Sequence, residues 1–145
     1  GISAMDGGQA QVSTDDGCNL DRDQVRAVAL FDEDWYTNML GYDTKFLGIA
    51  ADDEAGYAMD RHFDEASAFL KECKAEGRKV IVHCVMGINR SSAALAAFMC
   101  QEMSLGLTPT IDMISKGRGH VLSNNSFLRQ LIEVYGKETD SKAPA

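Results

Sequence analysis

The sequence predicts an α/β domain in which a mostly parallel central sheet is flanked by helices on both faces. Three observations support this fold class. Short β-branched and apolar runs alternate along the chain with segments of helical periodicity. Residues 80–82 (Val-Ile-Val) form a continuous apolar run, which is typical of a strand buried on both faces of a parallel sheet. The alanine-rich segment 91–104 follows after a short loop, and such strand–loop–helix units build parallel sheets.

The first half of the chain contains two predicted strands joined by polar segments. Residues 1–19 are rich in Gly, Ser, Asp and Gln, so we expect a loop or a weakly ordered segment there. Residues 25–31 form the first predicted strand, which ends in the acidic loop 32–34. The next predicted strand covers residues 44–50, and the connection that precedes it carries Trp35, Tyr36 and Tyr42.

The second half of the chain is predicted to be mainly helical. A helix over 61–76 has Asp60 as its candidate cap and Gly77 as its stop. Thr108 and Pro109 supply a cap and a first helical residue for a helix that ends near Lys116. A last helix, capped by Asn124 and ended by Gly136, is expected to bury Phe127, Leu128, Leu131, Ile132 and Tyr135. The polar tail 137–145 is expected to fray.

The composition limits the domain organisation and the class of partner. A chain of 145 residues, 45% of them hydrophobic, is expected to form a single domain over residues 1–145. Its formal net charge of −8 disfavours nucleic acid and anionic membrane surfaces, and no run is long enough to span a bilayer. The cysteines show no metal-ligand spacing: Cys18, Cys73, Cys84 and Cys100. The prediction includes no metal and no cofactor, and the oligomeric state is left open.

The loop at residues 84–90, which we call the phosphate loop, carries the strongest functional signal. It lies between a predicted strand and the start of a helix, where backbone N–H groups and the helix dipole attract an anion. Gly87 allows a sharp turn, and the guanidinium of Arg90 can grip two phosphate oxygens. We expect the backbone of Val85, Met86, Gly87, Ile88 and Asn89 to bind the remaining oxygens together with Arg90.

Cys84 is the candidate nucleophile of this loop. A helix N-terminus and a nearby arginine lower the pKa of a thiol, so that the reactive thiolate is populated at neutral pH. Ser91 is placed to donate a hydrogen bond to the sulfur. His83 precedes the nucleophile and, by strand alternation, points away from the phosphate, so we expect it to fix the loop by hydrogen bonding. The alternative is that Cys84 is a small buried hydrophobic residue.

The motif His83-Cys84-x-x-Gly87-x-x-Arg90-Ser91 resembles the signature of cysteine-based protein tyrosine phosphatases, in particular their dual-specificity branch. The resemblance covers about residues 20–136. It implies a protein tyrosine phosphatase-like fold with an opening strand before the first turn. Residues 1–6 resemble the turn that follows that strand, or else a remnant of an expression tag. The Ser92 position usually holds Pro or Ala, and Ser123 stands where proline is common.

The resemblance also implies an acid and a bracing residue. Residues 46–53 are similar to the family's strand and acid-bearing loop, where the spacing from Ile49 favours Asp53 over the adjacent Asp52 as proton donor. Residues 123–128 are similar to a later family motif whose asparagine, here Asn124, braces the phosphate loop. The implied catalytic residues are thus Cys84, Arg90, Ser91 and Asp53.

These features predict a metal-independent phosphatase that hydrolyses phosphotyrosine and phosphoserine/threonine in proteins through a phosphocysteine intermediate. The uncharged side chains of the phosphate loop favour a protein substrate over phosphoinositides or RNA 5′-phosphates. A reactive thiol favours a reducing, intracellular location, in the cytoplasm or the nucleus. Two alternatives stay open: a phosphate-binding module without useful turnover, and a sulfurtransferase of the rhodanese type.

Overall fold

The computed structural model describes residues 2–5 and 33–136. The strand predicted at 25–31, the tail at 137–145 and Cys18 lie outside the described residues. The elements in chain order are strand β1 (Ile2–Met5), helix α1 (Glu33–Leu40), strand β2 (Leu47–Ala50), helix α2 (Phe63–Ala75), strand β3 (Val82–His83), and helices α3 (Arg90–Glu102), α4 (Leu107–Arg118) and α5 (Asn125–Tyr135).

The three described strands form a parallel sheet in the order β2-β1-β3. Ile2 is in register with Leu47 on one side and with Val82 on the other. The prediction of a loop over residues 1–19, and of a turn at 1–6, is therefore wrong for Ile2–Met5. Pairing with two neighbouring strands stabilises this segment, and composition cannot reveal such a tertiary effect.

β3 is shorter and more exposed than the sequence predicted. The run at 80–82 was expected to be buried on both faces, yet the side chain of Ile81 is 73% exposed. Ile81 lies just before β3, which pairs with β1 alone among the described strands. The sheet nevertheless places the end of β3 directly before the phosphate loop.

α1 occupies residues that we predicted as a polar loop and connection. Glu33 and Asp34 lie in its first turn, where carboxylates interact favourably with the helix dipole. The acidic residues thus begin a helix rather than simply ending a strand. Tyr36 of this helix stacks on Phe46, with ring centroids 4.9 Å apart, which connects α1 to the residues before β2.

The helices α2, α4 and α5 deviate from prediction mainly at their ends. A 3-10 turn, Asp60–His62, precedes α2, and no side chain caps the turn or the helix. α4 begins at Leu107 after Gly106, so Pro109 is the third helical residue, still in the first turn where its missing N–H is harmless. Asn124 caps α5 as predicted, whereas Ile132 is exposed because the buried positions recur every four residues at 127, 131 and 135.

α3 is the central helix of the core and positions the phosphate loop. It packs against α2, α4, α5, β1 and β3. The side chains of Ala93, Ala96 and Ala97 are completely buried, and their small size lets neighbouring helices approach closely. The N-terminus of α3 is thereby fixed against the end of β3, which is the arrangement that an anion site requires.

Candidate active site

Cys84 lies at the bottom of the phosphate loop, directly after β3. Its side chain is only 7% exposed. The sulfur lies 3.2 Å from the hydroxyl oxygen of Ser91 in the first turn of α3, and the backbone N–H groups of Gly87 and Ser91 hydrogen-bond to it. Burial is thus accompanied by three polar contacts on the sulfur itself. Such contacts suit a thiolate better than a buried hydrophobic side chain.

The pKa of the Cys84 thiol is lowered below its ordinary value. Burial is the largest single influence and raises the pKa, but the lowering influences together outweigh it. These are the hydrogen bond from the Ser91 hydroxyl, the backbone N–H groups of Ser91 and Gly87, and the positive charge of Arg90. Each favours the anion. The thiolate fraction at neutral pH is consequently larger than that of a free thiol.

Replacing Ser91 with alanine should raise the pKa of the Cys84 thiol, because the strongest of the lowering contacts is lost. The rate of Cys84 alkylation by iodoacetamide at pH 7 should fall by roughly 3- to 10-fold, with its pH profile moved to higher pH. Mass spectrometry of the modified peptide measures this rate. Ser92→Ala is the matched control and should leave the profile in place. An unchanged profile in Ser91→Ala would contradict the role of the hydroxyl.

Arg90 is the first residue of α3, and its side chain is only 3% exposed. Its guanidinium Nη1 donates to the backbone oxygen of Ala51 at 3.1 Å. This bond joins the phosphate loop to the segment after β2, residues 51–57, which we call the acid loop. A buried guanidinium beside the Cys84 sulfur can balance the charge of a bound phosphoryl group.

Gly87 and Arg118 determine the shape of the phosphate loop. Gly87 has a φ of 65°, which a residue with a side chain rarely adopts. A Cβ at this position would also lie 3.1 Å from Nη2 of Arg118, which donates to the backbone oxygen of Met86 at 3.0 Å. Gly87 was predicted from the sequence but Arg118 was not, because no local pattern links the end of α4 to this loop.

Asp53 lies beside the phosphate loop in the structure. Its Oδ2 accepts a hydrogen bond from the side-chain amide of Asn89 at 2.9 Å, and its Oδ1 accepts one from the side-chain amide of Asn124, also at 2.9 Å. The adjacent Asp52 is half-buried. The structure thus brings Asp53 together with the phosphate loop, and its assignment as the acid stays a prediction that this geometry supports.

The acid loop is anchored to neighbouring elements on both sides of Asp53. Ala50, which precedes the loop, accepts a hydrogen bond at its backbone oxygen from the hydroxyl of Tyr57, the last loop residue, at 3.0 Å. The same hydroxyl lies 2.8 Å from Nε2 of His62. At the other end of the loop, the side-chain amide of Gln130 in α5 donates to the backbone oxygen of Tyr57 at 2.7 Å. These contacts limit the positions that the Asp53 carboxyl can reach.

Asn124 and His83 differ in how far they match their predicted supporting roles. The backbone N–H of Asn124 donates to Oδ1 of Asn89 at 2.9 Å, so Asn124 does contact the phosphate loop. His83 is exposed, and no hydrogen bond connects it to another residue in the range 33–136. The His83 side chain is at the surface whereas Cys84 is buried, as strand alternation predicts, and the bracing role of His83 stays a prediction.

The remaining loop side chains line the surface next to the sulfur. Val85 and Met86 are exposed, whereas Ile88 and Asn89 are partly buried. An open cleft of about 380 Å³ lies here, and its walls include Cys84, Val85, Met86, Leu95 and Arg118. Within the described part of the chain, no group of three or more His, Cys, Asp or Glu side chains could hold a metal ion.

The chain is similar in sequence to dual specificity phosphatases. A family model described as "Dual specificity phosphatase, catalytic domain" matches residues 22–137. Human "Dual specificity protein phosphatase 26" is 32% identical over 93 residues, which are 63% of this chain and 44% of that protein. Human "Dual specificity protein phosphatase 22" is 33% identical over 89 residues, which are 61% of this chain and 48% of that protein. The chain thus spans less than half the length of these relatives.

Solved structures show the same fold. The crystal structure of human "tyrosine phosphatase-like serine/threonine/tyrosine-interacting protein" matches with a TM-score of 0.65 at 18% identity, covering 94% of this chain and 76% of that chain. The crystal structure of DUSP15 matches with a TM-score of 0.61 at 27% identity, covering 66% and 62% of the two chains. These likenesses confirm the predicted α/β, protein tyrosine phosphatase-like fold class. None of the described helices has the length and apolar character needed to cross a bilayer.

Proposed function

The chain belongs to the dual specificity phosphatase catalytic-domain family, and on that premise we propose that it hydrolyses phosphotyrosine and phosphoserine/threonine esters in proteins, without a metal, through a phosphocysteine. The observation that carries this proposal is the environment of Cys84. Its sulfur contacts the Ser91 hydroxyl and two backbone N–H groups beside the buried Arg90 guanidinium, and its pKa is lowered. A nucleophilic anion therefore lies where a phosphoryl group would bind.

In the first step the Cys84 thiolate attacks phosphorus in line with the leaving oxygen. The S–P bond forms as the P–O bond to the substrate side chain breaks, and Asp53 gives its proton to the leaving oxygen. Arg90 and the backbone N–H groups of the phosphate loop hold the three equatorial oxygens. The products of this step are a free hydroxyl on the substrate, a phosphocysteine and an ionised Asp53.

In the second step water attacks the phosphocysteine, and the ionised Asp53 accepts a proton from it. The S–P bond breaks, inorganic phosphate is released, and the electron pair returns to the sulfur. The Ser91 hydroxyl, 3.2 Å away, donates a hydrogen bond to the departing thiolate. The same contact that lowers the pKa of Cys84 therefore makes the sulfur a better leaving group.

Two observations support the proposed substrate class and cellular location. The phosphate-loop side chains Val85, Met86, Ile88 and Asn89 carry no charge, which favours a protein phosphoester over a polyanionic lipid or nucleic acid. Cys73, Cys84 and Cys100 are free thiols. Because a phosphocysteine mechanism needs a reduced nucleophile, we place the protein in a reducing intracellular compartment.

The direct test is hydrolysis of 4-nitrophenyl phosphate, followed by a panel of phosphopeptides. We expect turnover that vanadate inhibits and that EDTA does not change, with activity on phosphotyrosine and phosphoserine/threonine peptides. Binding of tungstate without turnover would instead make the chain a phosphate-binding module. Activity with thiosulfate and cyanide alone would make it a sulfurtransferase.

A further inference from the structure

We propose that the side chain of Asn89 is a positioning residue that holds the Asp53 carboxyl against the phosphate loop. This inference rests on the proposed function and deepens it, because it gives a role to the side chain of Asn89, whereas the sequence prediction concerned only its backbone. Asn89 immediately precedes Arg90, so any group it holds is fixed relative to the phosphate-binding guanidinium.

The carboxamide of Asn89 is hydrogen-bonded at both ends. Its Oδ1 accepts from the backbone N–H of Asn124 at 2.9 Å and from the hydroxyl of Ser123 at 3.1 Å. These contacts determine which end of the amide is the acceptor. Its Nδ2 is thereby directed at Oδ2 of Asp53, at 2.9 Å. The orientation of Asn89 is thus set by the start of α5, and its donor is directed at the proposed acid.

A second contact joins the same two loops. Arg90 donates to the backbone oxygen of Ala51, two residues before Asp53. Arg90 therefore bonds the main chain of the acid loop, and Asn89 bonds the proposed catalytic carboxyl of Asp53. These two hydrogen bonds from consecutive residues fix the position of the acid loop and the direction of the Asp53 side chain.

Asp53 must work in two protonation states, and the pair of amides allows both. When ionised, each of its oxygens accepts one amide, Asn89 on Oδ2 and Asn124 on Oδ1. When one oxygen carries the proton for the leaving group, the other oxygen keeps its amide. The carboxyl can thus gain and lose a proton without leaving the phosphate loop. Because either amide alone still holds one oxygen of Asp53, loss of the other should lower kcat/KM only moderately.

The test is Asn89→Ala, measured as kcat/KM over a series of aryl phosphates whose leaving groups range from 4-nitrophenol to unsubstituted phenol. Only poor leaving groups need the proton from Asp53. We expect a loss of about 3- to 10-fold for phenyl phosphate and little loss for 4-nitrophenyl phosphate. In an Asp53→Ala background, Asn89→Ala should cause no further loss on phenyl phosphate, because it acts through the missing carboxyl.

Two further variants separate positioning from structural support. Asn89→Asp keeps an oxygen for Ser123 and Asn124 but presents a second carboxylate to Asp53, so it should lose at least as much activity on phenyl phosphate as Asn89→Ala. Asn125→Ala, on an exposed neighbouring residue, should behave like wild type.

Equal losses for all leaving groups, an undiminished loss in the Asp53→Ala background, or wild-type behaviour of Asn89→Asp would each overturn the inference while the proposed function stands. A wild-type protein that hydrolyses none of the aryl phosphates would overturn both.

Discussion

Replacement of Cys84 with serine is expected to reduce phosphatase turnover by at least about 10⁴-fold. A serine hydroxyl is similar in size to a thiol but is not ionised at neutral pH, even beside Arg90 and the loop N–H groups. The thiolate that the Ser91 hydroxyl and the backbone stabilise would be absent. Steady-state kinetics with 4-nitrophenyl phosphate and with a phosphotyrosine peptide measure the loss.

The Cys84→Ser protein should keep its fold and bind tungstate, since the phosphate loop and Arg90 are unchanged. Thermal unfolding and tungstate titration check these two points. Cys73→Ala is the matched control, because Cys73 is a buried thiol of α2 outside the site. It should retain turnover. Substantial activity in Cys84→Ser would show that another group attacks phosphorus.

Removal of the Asp53 carboxyl has the second largest expected effect. Asp53→Ala should lower kcat/KM for substrates with poor leaving groups by roughly 10²–10⁴-fold, because a departing alkoxide or phenoxide then lacks its proton donor. For 4-nitrophenyl phosphate the loss in kcat/KM should be much smaller, since 4-nitrophenolate leaves without protonation. A leaving-group series for wild type and variant measures the difference.

Asp52→Ala is the matched control for the acid, because it removes the neighbouring carboxylate. The structure places Asp53 within hydrogen-bonding distance of Asn89 and Asn124, so we expect Asp52→Ala to retain most activity on poor leaving groups. If the large loss appears in Asp52→Ala and not in Asp53→Ala, the proton donor has been assigned to the wrong carboxylate.

The phosphate loop could be predicted from the sequence because its geometry is local. A strand that ends at His83, just before Cys84, a turn that needs Gly87 and a helix that starts at Arg90 are all encoded within a few residues of one another. The Asn124 cap is local for the same reason, since its side chain accepts from the N–H of Ser126 two residues later.

Contacts between distant segments could not be predicted in this way. Ile2–Met5 is a strand because Leu47–Ala50 and Val82–His83 lie on either side of it, and its own composition gives no such signal. The same holds for Arg118, which reaches Met86 across 32 positions, and for the Asn89 side chain, which meets Asp53 across 36. The sequence therefore predicted the candidate chemical groups of the site and the bracing Asn124, but not the orienting contacts of Arg118 and the Asn89 side chain.

The most direct test of the mechanism is to trap its covalent intermediate. Wild-type protein mixed with excess 4-nitrophenyl phosphate and quenched within milliseconds should carry phosphate on the peptide that contains Cys84, as mapped by mass spectrometry. The amount should match a burst of 4-nitrophenolate close to one per active site when hydrolysis of the intermediate is slow. Phosphate found on another residue, or turnover with no protein-bound phosphate at any time, would contradict nucleophilic catalysis by Cys84.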